Sequence, residues 1–192
     1  MPCKHRFYKE LIPEWEIEHL FVGTFNPEWN ENNAVQADFF YGRKRNNFWS
    51  IIAIVFGYED LKYKSKAEKI FFLKNNRIGL TDLILSVKNA NSTSEVDIIN
   101  LTKNFSDNVL NTYELEFNSN SIIEIIKKNK SIKGVYLTRS TLNGINQVAI
   151  EWNKIAEFCK SNNINYQLLR TPANYGGGSV KKSMDWISKI NI

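Results

Sequence analysis

Asn26 and Asn46 are the side chains in this sequence best suited to act on a neutral substrate without ionising. A side-chain amide accepts through its oxygen and donates through its nitrogen, so it can orient a water molecule while aiming a donor at a carbonyl. Asn26 precedes Pro27, and Asn46 lies just ahead of the apolar run that begins at Phe48. Both positions also suit a plainer task, closing a turn beside Pro or capping a helix, and by residue type alone that task comes first. Asp82, in Thr81-Asp82-Leu83, offers a carboxylate or another local cap. Phe25 and Tyr41 fall in loop positions and suit a pocket that stacks on a planar ring, with core packing as the other reading. Phe48 and Trp49 open an amphipathic segment and belong to the core.

Two further stretches suit an anion. Gly42-Arg43-Lys44-Arg45 is the densest basic run, fit either to neutralise phosphates or to sit as a solvated turn. Thr171, Asn174, Tyr175 and Gly176 to Ser179 precede an expected helix, where a Gly-rich loop presents backbone N–H groups to an anion. The same residues also suit a flexible connection with Ser179 as N-cap.

These groups need elements to hold them. Ile17 to Phe25 is an apolar run stopped by Asn26-Pro27, which reads as a buried parallel strand ending in a turn. Phe48, Ile51, Ile52, Val55 and Phe56 recur at helical spacing up to Gly57, and Ser65 to Leu73 suggests another helix. Gly79 to Leu85 reads as a short strand or turn entering a polar loop, Lys88 to Ser94. The second half alternates: helix about 120–129, strand 132–138, helix about 143–160, strand 164–169, helix 179–190. Alternation of this kind requires crossover connections, so the fold class is α/β, with helices on both faces of a parallel sheet. Loops at the carboxyl ends of such strands carry function, here Thr24 to Arg45, Thr138 to Asn143 and Arg170 to Ser179.

At 192 residues one domain spanning 1–192 is expected, and 43% hydrophobic and 13% aromatic residues supply its core. No stretch approaches the roughly 20 apolar residues that cross a bilayer, and the N-terminus lacks a secretory apolar core, so a cytoplasmic monomer is expected. Cys3 and Cys159, with His5 and His19, give neither zinc nor cluster spacing and read as structural or incidental, so no metal or cofactor is expected. A net charge of +5 is compatible with an anionic partner and also with ordinary solubility.

Leu20-Phe-Val-Gly-Thr-Phe-Asn-Pro27 followed by Phe40-Tyr-Gly-Arg-Lys-Arg-Asn-Asn-Phe-Trp49 resembles the first motif region of the uracil-DNA glycosylase superfamily, nearest its hypoxanthine-DNA glycosylase and mismatch-specific branches. Gly79 to Ile84 resembles the middle segment, and Leu168-Leu-Arg-Thr-Pro-Ala-Asn174 the closing strand and loop. The resemblance spans nearly the whole chain. It implies a three-layer α/β/α sandwich on a mostly parallel four-stranded sheet. It also implies removal of a deaminated base, uracil or hypoxanthine, by water attack on the anomeric carbon, with no lyase step and DNA carrying a damaged or mismatched base as partner. In that scheme Asn46 and Asn26 are catalytic, and Thr24, Phe25, Tyr41 and Asp82 bind the base. Arg43, Lys44, Arg45, Thr171, Asn174, Tyr175, Gly176 and Ser179 hold DNA, with Tyr175 suited to wedge into the stack. Thr24 and Phe25 separate Gly23 from Asn26 by one residue more than the mismatch-specific pattern, which favours Asn46 as the principal group. A non-catalytic DNA-binding protein of the same fold and a nucleotide-processing enzyme are the rival readings; no Walker-type Gly-Lys-Ser/Thr supports the latter.

Overall fold

The run around Leu20 is apolar because both of its faces are covered. In the computed structural model, which describes residues 1–29, 38–103, 107–174 and 177–190, the chain forms strands β1 (Cys3–Lys4), β2 (His19–Gly23), β3 (Ile78–Asp82), β4 (Ile84–Val87), β5 (Leu115–Phe117), β6 (Gly134–Leu137) and β7 (Asn165–Leu168). Its α-helices are α1 (Phe48–Val55), α2 (Lys66–Asn75), α3 (Glu95–Ile98), α4 (Ser119–Lys128), α5 (Asn146–Ser161) and α6 (Ser179–Ile187). The central sheet has the order β3-β2-β6-β7, and every neighbouring pair is parallel. The fold is therefore α/β, as the alternation in the second half requires.

Side chains alternate across β2, so its two faces feed two cores. Leu20 and Val22 meet Val135 and Leu137 of β6, Ile122 and Ile126 of α4, and Trp152 and Ile155 of α5. Phe21 meets Leu80, Tyr136, Phe48 and Trp49 of α1, Phe72 of α2 and Trp186 of α6. Helix α1 ends where expected, with Gly57 at φ +72 in the left-handed region that a helix terminus uses. Helix α2 starts with a capping box: Ser65 accepts from the Glu68 N–H while the Glu68 carboxylate accepts from the Ser65 N–H.

One feature departs from the single-sheet expectation. Gly79 to Leu85 is two strands: after β3 the chain turns at Leu83 into β4, which joins a separate antiparallel sheet of order β1-β4-β5. Cys3 pairs with Val87 and Lys4 with Ser86, so the N-terminus lies beside the end of β3. That pairing carries His5 to the carboxyl edge of the central sheet, where its backbone bridges Pro27.

Candidate active site

Strands β2 and β3 end in register at Gly23 and Asp82, and the Thr138 N–H that follows β6 bonds to the Val22 carbonyl. A cleft of about 930 Å³ opens over this edge. Its walls come from Gly23 to Asn26, from Tyr41, Arg43, Arg45 and Asn46, from Asp107 and Arg139, and from Thr171 to Asn174. The three loops singled out in the sequence thus meet, joined by the unforeseen segment at Asp107.

Asp82 is buried at the floor of the cleft, 1% exposed. Its Oδ2 accepts from Asn26 Nδ2 at 2.6 Å and lies 2.7 Å from His5 Nε2. His5 Nδ1 accepts from the Phe7 backbone N–H at 3.0 Å, so the ring proton belongs on Nε2, which donates to Asp82. Asp82 Oδ1 is buried and has no hydrogen-bond partner among the described residues. Leaving such an acceptor unsatisfied costs about 1–3 kcal/mol, so it is a feature that needs a reason. Gly23 makes room for it: a Cβ at that position would overlap both Asp82 Oδ1 and the Tyr41 hydroxyl.

Tyr41 stacks on Phe48 with ring centroids 4.0 Å apart and planes 8° from parallel. Its hydroxyl lies 3.1 Å from Thr138 Oγ1, which itself donates to the Val22 carbonyl, so the Tyr41 proton goes to Thr138. Burial, reinforced by the nearby charge of Asp82, pushes this phenol well above its ordinary range. On the other wall Asp107 pairs with Arg139 and accepts from Thr24 Oγ1 at 3.2 Å. Burial raises the Asp107 carboxyl and Arg139 opposes that rise. Burial also lowers Arg43, and the like charge of Arg6 adds to the effect.

The residues expected from sequence meet here unevenly. Asn26, Thr24, Tyr41, Asn46, Asp82, Arg43, Arg45, Thr171 and Asn174 line the cleft. Asn46 is not the N-cap of α1, which is Asn47, but its Oδ1 makes a local turn bond, accepting from the Phe48 N–H at 2.9 Å. Phe25 borders the cleft but is 6% exposed and packed in the core, so core packing holds for most of that ring. Lys44 is exposed and outside the cleft wall. Ser179 is the first residue of α6, with Gly178 as N-cap, and it is outside the wall too. Tyr175 and Gly176 lie outside the described residues.

Sequence reading missed His5, Asp107 and Arg139 as site residues. His5 reaches Asp82 across 77 positions, a pairing that no local pattern announces. Arg139 sits in a loop already placed at the active edge, and its partner there, Asp107, lies 32 positions away where no local pattern connects them. Lys182 is fully buried with Nζ bonded to the Ala173 carbonyl, clamping the last loop against α6. No group of three or more His, Cys, Asp or Glu side chains converges for a metal among the described residues.

The fold and cleft define an α/β protein whose polar pocket lies at the carboxyl edge of a four-stranded parallel sheet. Among solved structures this chain is similar to the solution NMR structure of a "putative Uracil DNA glycosylase" from Methanosarcina acetivorans. The TM-score is 0.56 at 13% identity, over 91% of this chain and 89% of that one. No protein-family model and no curated protein matches the chain. The likeness is one of fold.

Proposed function

We propose that this protein is a DNA glycosylase that removes a deaminated base, uracil or hypoxanthine, by hydrolysis of the N-glycosidic bond. The observation that carries the reading is the cleft itself, where amides, a buried carboxylate and an aromatic stack share one floor with cationic walls. Breaking the bond develops positive charge on the sugar and negative charge on the departing base. A base inside a duplex is out of reach, so the nucleotide must be extruded into a pocket. Arg43 and Arg45 hold the phosphates around it, with the Thr171 to Asn174 loop, which pairs with Asn46 and Asn47, beside them. Tyr41 faces the base ring and Thr24 its rim. The Asn46 amide orients the attacking water, and Asn26 acts chiefly by holding Asp82.

The fold likeness to a protein described as a glycosylase supports the same reading. The test is direct. Labelled duplexes containing uracil, hypoxanthine or xanthine are incubated with the protein, then treated with alkali to cut abasic sites. At least one should be cut, and EDTA should not diminish it. Tight binding without abasic product from any of them would instead favour a DNA-binding protein that keeps the fold without the chemistry. The engagement of Asn46 Oδ1 by the backbone is the observation on that side.

A further inference from the structure

Asn47 occupies the N-cap of α1, yet its side chain makes no cap bond to the helix. An asparagine at that position ordinarily accepts from an N–H two or three residues on, so its amide has been diverted to another use. Both ends are engaged elsewhere: Lys62 Nζ donates to Asn47 Oδ1 at 2.9 Å, and Asn47 Nδ2 donates to Asn174 Oδ1 at 3.2 Å. An ammonium group can only donate, so the direction of the whole chain is set at Lys62. Asn47 turns its oxygen to Lys62 and its nitrogen to Asn174. Asn174 must then accept, which leaves its own NH2 for the cleft that it lines. Lys62 and Asn47 are themselves outside the cleft wall. Lys62 is held in turn by Asp60, whose carboxylate accepts from the Lys62 backbone N–H at 2.8 Å and from Ser50 Oγ of α1 at 2.8 Å.

We propose that Lys62 is a positioning residue that acts through Asn47 to fix Asn174 as a hydrogen-bond donor to a phosphate of a bound DNA strand. The assignment rests on the glycosylase reading for its ligand, and it adds a residue outside the cleft that decides the polarity of one wall. Arg43 and Arg45 line the same cleft and lead into Asn46 and Asn47, whose backbones pair with Ala173 and Pro172 of the closing loop. An anionic oxygen drawn in by those arginines is attracted by the Asn174 NH2 and repelled by its carbonyl. A free asparagine presents either end after a half-turn of its amide. Here that turn would set Asn174 Nδ2 against Asn47 Nδ2, donor against donor, and a compensating turn of Asn47 would set its NH2 against the ammonium. The bond from the Asn47 backbone N–H to the Pro172 carbonyl does not involve Lys62. Lys62 therefore governs the orientation of the amides and not the course of the loop.

The test measures the affinity of the full chain for an undamaged duplex and its dependence on salt. Lys62→Met frees both amides to turn, and affinity at fixed salt should fall roughly tenfold, as for the loss of one hydrogen bond to a charged acceptor. Asn174 is neutral and releases no counterion, so the slope of log affinity against log salt should stay close to that of the parent. A Lys62 that gripped a phosphate itself would make the slope shallower by about 0.9. Lys62→Arg also can only donate and should restore the affinity. Asn174→Ala deletes the same contact at an exposed position, where folding is not at issue, and should show the same loss. Lys62→Met added to Asn174→Ala should cost little more, because the two side chains act on one contact. In heteronuclear NMR spectra the Asn174 side-chain NH2 should shift when duplex is added to the parent or to Lys62→Arg, and should not in Lys62→Met. Parent affinity in Lys62→Met, additive losses in the double variant, or a slope shallower by a full contact overturns the assignment. Excision of uracil or hypoxanthine by the parent alongside any of those results leaves the glycosylase reading standing. Coupled losses without abasic product from any damaged duplex overturn that reading and leave the assignment in place. A parent that binds no duplex overturns both.

Discussion

A single asparagine can close the turn that leads into a helix and still face a substrate, and Asn46, one residue ahead of the α1 N-cap Asn47, is placed for both tasks. Its Oδ1 is committed to the Phe48 N–H, which leaves the amide nitrogen as the chemically useful end. Asn46→Asp keeps the oxygen that accepts from the Phe48 N–H and removes the donor, so the two roles separate. Asn46→Ala should lower stability by about 1 kcal/mol and single-turnover excision by roughly a hundredfold. Asn46→Asp should match the parent in melting yet be comparably slow, whereas Asn26→Ala should cost less in rate than either. A fully active, folded Asn46→Ala together with an inactive Asn26→Ala would reverse the assignment of these two residues. His19 supplies a prediction about pH. It is buried against Tyr136 and Phe56, and desolvation, aided by Lys133, holds it down to about 4 from an ordinary 6.5. Between those values the unfolded chain binds a proton that the folded chain refuses, so stability is full above pH 6.5 and falls as pH drops toward 4. The loss is on the order of 3 kcal/mol across the window, and His19→Gln should flatten that part of a pH series of denaturant midpoints.

The elements that hold the site differ in how plainly the sequence announces them. Helices α1, α2, α4, α5 and α6 lie within a few residues of where their periodicity puts them, and β2, β6 and β7 fall inside the expected runs. Strands β1 and β5 were not legible, since two and three residues are too short for an alternating pattern to register. The consequence reached the site, because β1 is what delivers His5 to Asp82. Asp107 was obscured for a related reason: it follows an Asn/Ser-rich stretch that reads as a loop, and its value comes from Arg139 and Thr24, far off in the chain. Helix α6 grips the loop after β7 at three places: Lys182 bonds the Ala173 carbonyl, the Asp185 carboxylate accepts from the Arg170 N–H, and Trp186 Nε1 donates to the Arg170 carbonyl. That loop in turn takes the Asn47 N–H on Pro172 and bridges Asn46 through Ala173. Lys182→Met should leave the Ala173 carbonyl unpaired and cost about 1–3 kcal/mol. The Asn47 amide should exchange faster with solvent while the Leu137 amide, deep in the sheet, should not. Unchanged exchange at Asn47 would mean that α6 does not govern the loop.

At the scale of the whole molecule the net charge of +5 matters less than where the cations stand. Arg43, Arg45 and Arg139 line one cleft, Arg6 lies close enough to depress Arg43, and Lys44 is outside the wall. Other basic residues are tied up far from this edge, as Arg77 and Lys133 both pair with Glu18. Asp107 already neutralises Arg139, so Arg43 and Arg45 are the cleft arginines expected to meet phosphates. Each phosphate contact releases a counterion, which sets the slope of log affinity against log salt at about 0.9 per contact on duplex DNA. Arg43→Ala and Arg45→Ala should each make the slope for an undamaged duplex shallower by about that amount, and the double variant by roughly twice as much. Lys44→Ala should change it less, which separates a directed grip from a general basic turn. Single-turnover excision at saturating protein should fall little in all four variants, because these side chains hold the duplex and do not touch the bond that breaks. An unchanged slope in the double variant would mean that DNA does not run over this cleft. An equal effect from Lys44→Ala would mean that the whole basic turn, and not its cleft-facing half, carries the attraction.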